Sequence, residues 1–76
     1  MAQAVKTYIV RDADVGGGNS MARTFPGTLK GLTEALDDAR FRSASGAPKV
    51  VVVMEGRQRR IIRRFEHGRE VPVASA

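Results

Sequence analysis

The stretch RQRRIIRR, Arg57–Arg64, has an unusual density of one functional group, because five of its eight residues are arginine. A guanidinium is a planar fork that can donate two parallel hydrogen bonds to a carboxylate or a phosphate. Arginine also supplies ten of the thirteen basic residues in the chain. The stretch therefore predicts a surface that binds an acidic partner, and a solvated edge that serves only solubility is the simpler alternative.

Basic charge is concentrated in the second half of the chain. Residues 1–39 carry four basic and five acidic side chains (net −1), whereas residues 40–76 carry nine basic and three acidic side chains (net +6). In a small protein this asymmetry favours nucleic acid or an acidic protein surface as the partner. The residues predicted to contact that partner are Arg40, Arg42, Lys49, Arg57, Arg59, Arg60, Arg63, Arg64 and Arg69.

Patterns typical of catalysis or metal binding are missing from the sequence. The chain has no cysteine and a single histidine, His67, so a transition-metal site is not expected. The glycines at positions 16–18 lack the spacing and the following Lys-Ser/Thr of a phosphate-binding loop. Asp12 and Asp14 beside them are expected to support a turn. We therefore predict a non-enzymatic protein without a metal or cofactor.

The length of 76 residues predicts one small domain over residues 1–76, with an ordered core at about residues 5–73. No apolar run approaches the roughly 20 residues that a membrane span needs. The first ten residues lack the basic start and apolar stretch of a signal peptide. These features predict a cytoplasmic protein with no membrane partner.

The first half of the chain predicts two strands and a helix. Val5–Asp12 is rich in strand-forming residues. The glycine-rich stretch after it favours a hairpin to a second strand at Ser20–Phe25, and a single loop over residues 13–27 is the alternative. Thr28 is suited to cap a helix from Leu29 to about Ser43. The expected apolar stripe of that helix is Leu29, Leu32, Ala35, Leu36 and Ala39.

The second half predicts three strands joined by tight turns. Lys49–Met54 contains four consecutive valines, which are β-branched and favour strands. Glu55-Gly56 and His67-Gly68 are expected turns, so Arg57–Glu66 forms the fourth strand and Arg69–Val73 the fifth. The predicted fold is α+β, with the order β-β-α-β-β-β. One helix packs on one face of an antiparallel sheet of about five strands.

Strict alternation along the last hairpin divides its side chains between two faces. The helix is expected on the face with the larger apolar set, which is Val50, Val52, Met54, Ile61 and Phe65. The other face is expected to be uncovered and to form the contact surface, through Arg60 and Arg64 together with Arg57 and Arg59 at the hairpin tip. Three alternatives remain: self-association through that face, a terminal segment folded over it, or a bulge that brings both isoleucines inside.

Phe41 lies on the polar side of the predicted helix, about 120° from Leu29. We expect the helix to end near Arg40, so that Phe41 tucks under the sheet. The alternative is an exposed anchor between Arg40 and Arg42.

The segments KTYIVRD, LTEALDDAR and VVVVMEGRQRRIIRRF, which lie within residues 6–73, carry a resemblance of layout. The chain resembles a family of small phage-encoded anti-CRISPR proteins with the same β-β-α-β-β-β order. It also resembles small bacterial domains of unknown function that add an arginine-rich C-terminal hairpin. The first resemblance implies an inhibitor, in the cytoplasm of a bacterial host, that docks on the crRNA-guided surveillance complex of a type I system. Such an inhibitor blocks target DNA or promotes nonspecific DNA binding, here through the hairpin arginines.

Two other functions fit the same sequence. One is a regulatory or structural protein that forms a homodimer or binds an acidic protein. The other is a sequence-independent DNA- or RNA-binding protein, whose contacts would be to phosphates because the chain has only four aromatic residues.

Overall fold

The computed structural model describes residues 6–13 and 22–73, which form one helix and a five-stranded antiparallel sheet. The predicted α+β class and element order are confirmed. The elements are β1 (Lys6–Asp12), β2 (Arg23–Pro26), α1 (Leu29–Ala44), β3 (Lys49–Glu55), β4 (Gln58–Glu66) and β5 (Arg69–Val71). The strands lie in the order β2-β1-β3-β4-β5. The predicted glycine turn and the two ends of the chain lie outside the described residues.

The first two strands form the antiparallel pair expected of a hairpin. Tyr8 lies opposite Phe25, and Val10 lies opposite Arg23. The single-loop alternative for residues 13–27 is therefore wrong, although β2 begins at Arg23 rather than at Ser20.

The helix α1 begins at the predicted cap. The Thr28 Oγ1 accepts a hydrogen bond from the Gly31 amide at 3.0 Å, which satisfies one donor of the first turn. The helix runs to Ala44, four residues beyond Arg40. Its buried residues recur at every fourth position, and their small side chains allow the helix to lie close to the sheet. These buried residues are Gly31, Ala35, Ala39 and Ser43.

The hydrophobic core lies between α1 and one face of the sheet. Its buried members are Tyr8, Val10, Ala35, Ala39, Val51, Val53 and Phe65, and Phe25, Leu32, Leu36 and Ile62 pack at its margin. The larger side chains come from the sheet, because the buried stripe of α1 offers only small residues. Tyr8 and Val10 of β1 sit directly opposite Val53 and Val51 of β3. The helix face of the sheet is defined by these pairs.

The β3–β4 hairpin contains a bulge that the sequence analysis left as an alternative. Val52 pairs with Ile61 but Val51 pairs with Arg63, so Ile62 is an extra residue on β4. An extra residue inverts the alternation of side chains beyond it. Ile61 and Phe65 would share a face in a regular strand, and here they lie on opposite faces.

The bulge explains why the predicted helix face is wrong for four of its five residues. Val52 lies opposite Ile9 of β1, on the face away from α1, and the same alternation places Val50, Met54 and Ile61 there. Phe65 alone packs under the helix, because the inverted alternation brings it to the side of Val51 and Val53. The bulge does not bring both isoleucines inside, because Ile62 packs at the margin of the core whereas Ile61 is 40% exposed.

The turn at the hairpin tip is one residue later than expected. Glu55 pairs with Gln58, so Gly56 and Arg57 form the two-residue loop. Gly56 has a φ of 60°, which favours glycine at the first central position of a type II′ turn.

The second turn docks on the end of the helix. His67 and Gly68 have φ values of 55° and 78°, as a type I′ turn requires at both central positions. The Gly68 amide donates a hydrogen bond to Ser43 Oγ at 3.0 Å. A Cβ atom on Gly68 would lie 3.1 Å from the Ala44 Cβ, so glycine allows this close approach.

Candidate functional site

The face of the sheet opposite α1, called the open face here, is covered by no helix or strand of the described residues. Three rows of cross-strand partners, about 7 Å apart along the strands, span most of it, and a fourth row pairs Glu66 with Arg69. The middle row is Thr24, Ile9, Val52 and Ile61, and the outer rows are Pro26, Thr7, Met54 and Arg59, and Arg11, Val50, Arg64 and Val71. An apolar middle row is therefore bordered by Arg59 on one side and by Arg11 and Arg64 on the other.

A shallow depression of about 450 Å³ opens on this face, lined by Ile9, Arg11, Ala22, Val52, Arg59 and Ile61. Its floor is apolar because Ile9, Val52 and Ile61 form it; Val52 is 4% exposed and Ile61 is 40% exposed. Two guanidinium groups at its rim add positive charge. This combination of apolar floor and polar rim is typical of contact surfaces.

Ile9 and Arg11 were not predicted to belong to the binding surface. Alternation along β1 separates them from Tyr8 and Val10. It does not tell which set faces the helix, because Ile9 and Val10 are both strongly apolar.

Three arginines form the exposed end of the β3–β4 hairpin, called the arginine tip here: Arg57, Arg59 and Arg60. Arg57 lies in the turn, Arg59 lies on the open face opposite Met54, and Arg60 lies on the helix side opposite Val53. Among the described residues, none of the three makes an ion pair or a hydrogen bond with its side chain. These guanidinium groups are available for a partner.

The prediction that Arg60 and Arg64 both project from the open face is wrong. The bulge at Ile62 lies between them, so Arg60 is on the helix side and Arg64 is on the open face. Arg64 also bonds within the chain, because its Nε donates to Glu66 Oε2 at 2.7 Å.

Arg63 and Arg69 lie at the β4–β5 edge of the sheet. Arg63 pairs with Glu70, with 3.3 Å between its Nε and the Glu70 Oε2. Arg69 is exposed and lies opposite Glu66. Neighbouring carboxylates reduce the net positive charge here, so the strongest cationic surface is the arginine tip.

Lys49, which was predicted to contact a partner, is only 7% exposed. Its ammonium group forms an ion pair with the Asp12 carboxylate on the opposite position of β1. This side chain belongs to the packed interior at one end of the helix face rather than to a binding surface.

The two helix arginines are also engaged within the chain. The Arg40 guanidinium carbon lies 5.5 Å from the centre of the Phe65 ring, within the range of a cation–π contact. Arg42 Nη1 lies 3.3 Å from Asp38 Oδ2, four residues earlier on the helix. Both groups support the packing of α1, and neither belongs to the arginine tip.

Phe41 does not tuck under the sheet. Because α1 continues to Ala44, Phe41 stays on the outer surface of the helix and is 77% exposed. Leu29, which was expected in the apolar stripe, is 80% exposed at the other end of the helix. The alternative of an exposed aromatic anchor at Phe41 is the one that the structure supports.

Within residues 6–13 and 22–73, no three His, Asp or Glu side chains are grouped so that they could hold a metal ion. In the same part of the chain, no helix is long and apolar enough to cross a bilayer. The absence of enzymatic activity and of a cofactor stays a prediction.

Comparison of the chain with protein-family models, curated proteins and solved structures finds no match.

Proposed function

We propose that the protein is a non-enzymatic binding module that docks on an anionic nucleoprotein surface through the arginine tip and the open face. The observation that carries this proposal is the tip itself. Arg57, Arg59 and Arg60 are exposed, and within the described residues their guanidinium groups have no carboxylate partner. Unpaired arginines at one end of a rigid hairpin suit phosphate oxygens, because each guanidinium can donate two parallel hydrogen bonds.

Base recognition is not part of this proposal. The described open face carries no aromatic side chain on which a base could stack. Contacts to phosphates alone position a protein without reading sequence, so binding should be independent of nucleotide sequence.

The most specific form of the proposal comes from the layout of the elements. The β-β-α-β-β-β order with an arginine-rich hairpin supports an inhibitor that docks on a type I crRNA-guided surveillance complex. In that role, the arginine tip would occupy the path of target DNA or hold DNA nonspecifically.

Direct binding is tested by titrating the protein with duplex DNA, single-stranded DNA and RNA at several salt concentrations. Each phosphate contact should contribute about 0.9 to the slope of log affinity against log salt for duplex DNA, and about 0.7 for a single strand. The Arg59→Glu variant should bind at least tenfold more weakly. The matched control is Lys30→Glu, which makes the same charge change on an exposed residue of α1. A flat salt response, or equal losses in the two variants, would exclude phosphate docking by the tip.

The inhibitor form is tested by measuring target-DNA binding by a purified type I surveillance complex with and without the protein. We expect loss of target binding, or a shift to nonspecific DNA, and we expect Arg59→Glu to relieve the effect. An unchanged complex would remove this form while leaving direct phosphate binding open to the titration above.

The second candidate function is binding to an acidic protein surface. The apolar row of half-buried Ile9 and exposed Ile61 favours it, because phosphates gain nothing from an apolar floor. This function requires that capture of a protein partner depend on Ile61, which the nucleic-acid proposal does not require.

A further inference from the structure

The outer surface of α1 carries an isolated aromatic knob. Phe41 lies six residues from buried Ala35, which places it about 120° around the helix and away from the core. It is 77% exposed, although the residues next to it on that surface, Asp37 and Arg40, are charged. An exposed phenylalanine on a helix that has small core residues contributes little to the fold, so its apolar area is available to a partner.

Acidic side chains stand beside the knob. Asp37 and Glu34 lie one and two turns before Phe41, both are exposed, and neither makes an ion pair within the described residues. Asp38 is already engaged by Arg42 and Arg23. The knob therefore has two free carboxylates on its N-terminal side, with the exposed Arg40 as its immediate neighbour in the sequence.

The open face offers the complementary surface. Its depression has a floor of Ile9, Val52 and Ile61 and a rim that includes Arg11 and Arg59. The volume of about 450 Å³ is larger than one aromatic ring requires. Two rim guanidinium groups can meet the two free carboxylates on the N-terminal side of Phe41, so size and charge agree.

The knob and the depression cannot meet within one chain. The helix packs on one face of the sheet and the depression opens on the other. Only a second copy can bring them together, and the contact is then heterologous, because different surfaces of the two copies meet.

Symmetric pairing of two open faces is less favourable, because it brings like charges together. It would place Arg11, Arg59, Arg64 and Arg69 of one copy against the same arginines of the other, with Glu66 as the one acidic residue on the described part of the open face. Like charges brought together at an interface are repulsive. A head-to-tail arrangement replaces this repulsion with attraction.

We infer that the protein self-associates head to tail, with Phe41 of one copy seated in the open-face depression of the next. Because every copy presents both surfaces, the contact can propagate into rings or filaments. The area is small, so assembly is weak and concentration-dependent. Salt weakens it, because the flanking charge pairs are exposed. The inference does not depend on the proposed docking on a nucleoprotein.

Assembly is measured by sedimentation velocity from roughly 10 µM to roughly 1 mM, the range of weak contacts, at low salt and without nucleic acid. The wild-type protein should form species larger than dimers. Phe41→Lys removes the ring and places a cation against the rim arginines, and Ile61→Glu places an anion in the depression. Each variant alone should be monomeric.

An equimolar mixture of the two variants gives the sharpest result. The Ile61→Glu copy keeps an intact knob and the Phe41→Lys copy keeps an intact depression, so the mixture should form a one-to-one heterodimer. Two variants damaged in a symmetric face-to-face contact would not complement in this way.

Leu29→Lys is the matched control, since it makes the same charge change at an equally exposed apolar residue of α1. It should assemble like the wild type. Arg59→Glu serves if Ile61→Glu fails to fold, because Arg59 is an exposed residue, and it should weaken assembly at least tenfold. A wild-type protein that stays monomeric up to 1 mM, a Phe41→Lys variant that assembles, or a mixture of monomers would overturn the inference.

Discussion

Replacement of Gly31 by alanine should destabilise the protein, against the expectation from helix propensity. Glycine within a helix costs roughly 0.5–1 kcal/mol relative to alanine, so propensity alone predicts a gain of that size. Gly31, however, is buried and faces the end of β2. A Cβ atom there would overlap the backbone carbonyl of Pro26 and would lie 3.1 Å from the Pro26 Cγ.

The magnitude follows from the nature of the clash. The Pro26 carbonyl is backbone and cannot rotate away, so α1 or the end of β2 must move. Overpacking of this kind typically costs about 1–3 kcal/mol, which exceeds the propensity gain. We expect a net loss of about 1–2 kcal/mol in the free energy of unfolding.

The assay is urea denaturation followed by circular dichroism, with the midpoint compared at constant slope. In a domain of this size, each kcal/mol should also lower the melting temperature by roughly 4–8 °C. Gly46→Ala is the control, because its Cβ would meet only the Arg42 carbonyl oxygen, at 3.3 Å. A Gly31→Ala variant as stable as the wild type or more stable would refute the close approach of α1 to β2.

Three further changes test the other features that position the site. Ile62→Ala should lower the free energy of unfolding by about 2 kcal/mol or more in urea denaturation, and Ile61→Ala by clearly less; the reverse order would contradict the bulge. His67→Asn should raise the free energy of unfolding by up to about 1 kcal/mol, and with it the melting temperature, because Asn accepts a positive φ more readily; a fall in melting temperature would contradict the type I′ turn. Lys49→Met should lower the free energy of unfolding by about 1–3 kcal/mol, because it leaves Asp12 without its partner. It should leave the nucleic-acid affinity measured in a titration unchanged, and a large loss of affinity would mean that Lys49 belongs to the binding surface.

Local signals in the sequence predict the elements well. The run of valines, the Thr28 cap and the glycine turns each act within a few residues, and the structure confirms the strands, the helix and their order. The pairing of β1 with β2 also follows from a local signal, the glycine-rich segment between them.

The distribution of residues between the faces depends on a single inserted residue, which local signals do not locate. With strict alternation, Phe65 joins Ile61 and adds the largest apolar side chain to the face expected to carry the helix. The bulge places Phe65 on the same face as Val51, and the helix packs on that face.

The sequence predicts the type of residue in the candidate site, but it predicts the position of only some of these residues. The hairpin arginines are exposed at the tip as expected, since charged residues near a turn reach water. The engagement of Lys49 by Asp12 depends on the pairing of β1 with β3, which joins residues 37 positions apart. No sequence pattern links two such distant residues, so this side chain was assigned to the surface.

The bulge at Ile62 has a consequence for changes in the length of β4. Deletion of one residue at positions 61–62 would remove the bulge and restore strict alternation, and it would leave Phe65 on the helix side and Arg64 on the open face. Insertion of a residue would shift the β4–β5 turn away from Ser43 and Ala44, on which it docks. Substitution of an exposed tip arginine disturbs neither arrangement. The strand should therefore accept changes in its charges and loss of the extra residue at the bulge, whereas a gained residue would separate the β4–β5 turn from the helix end.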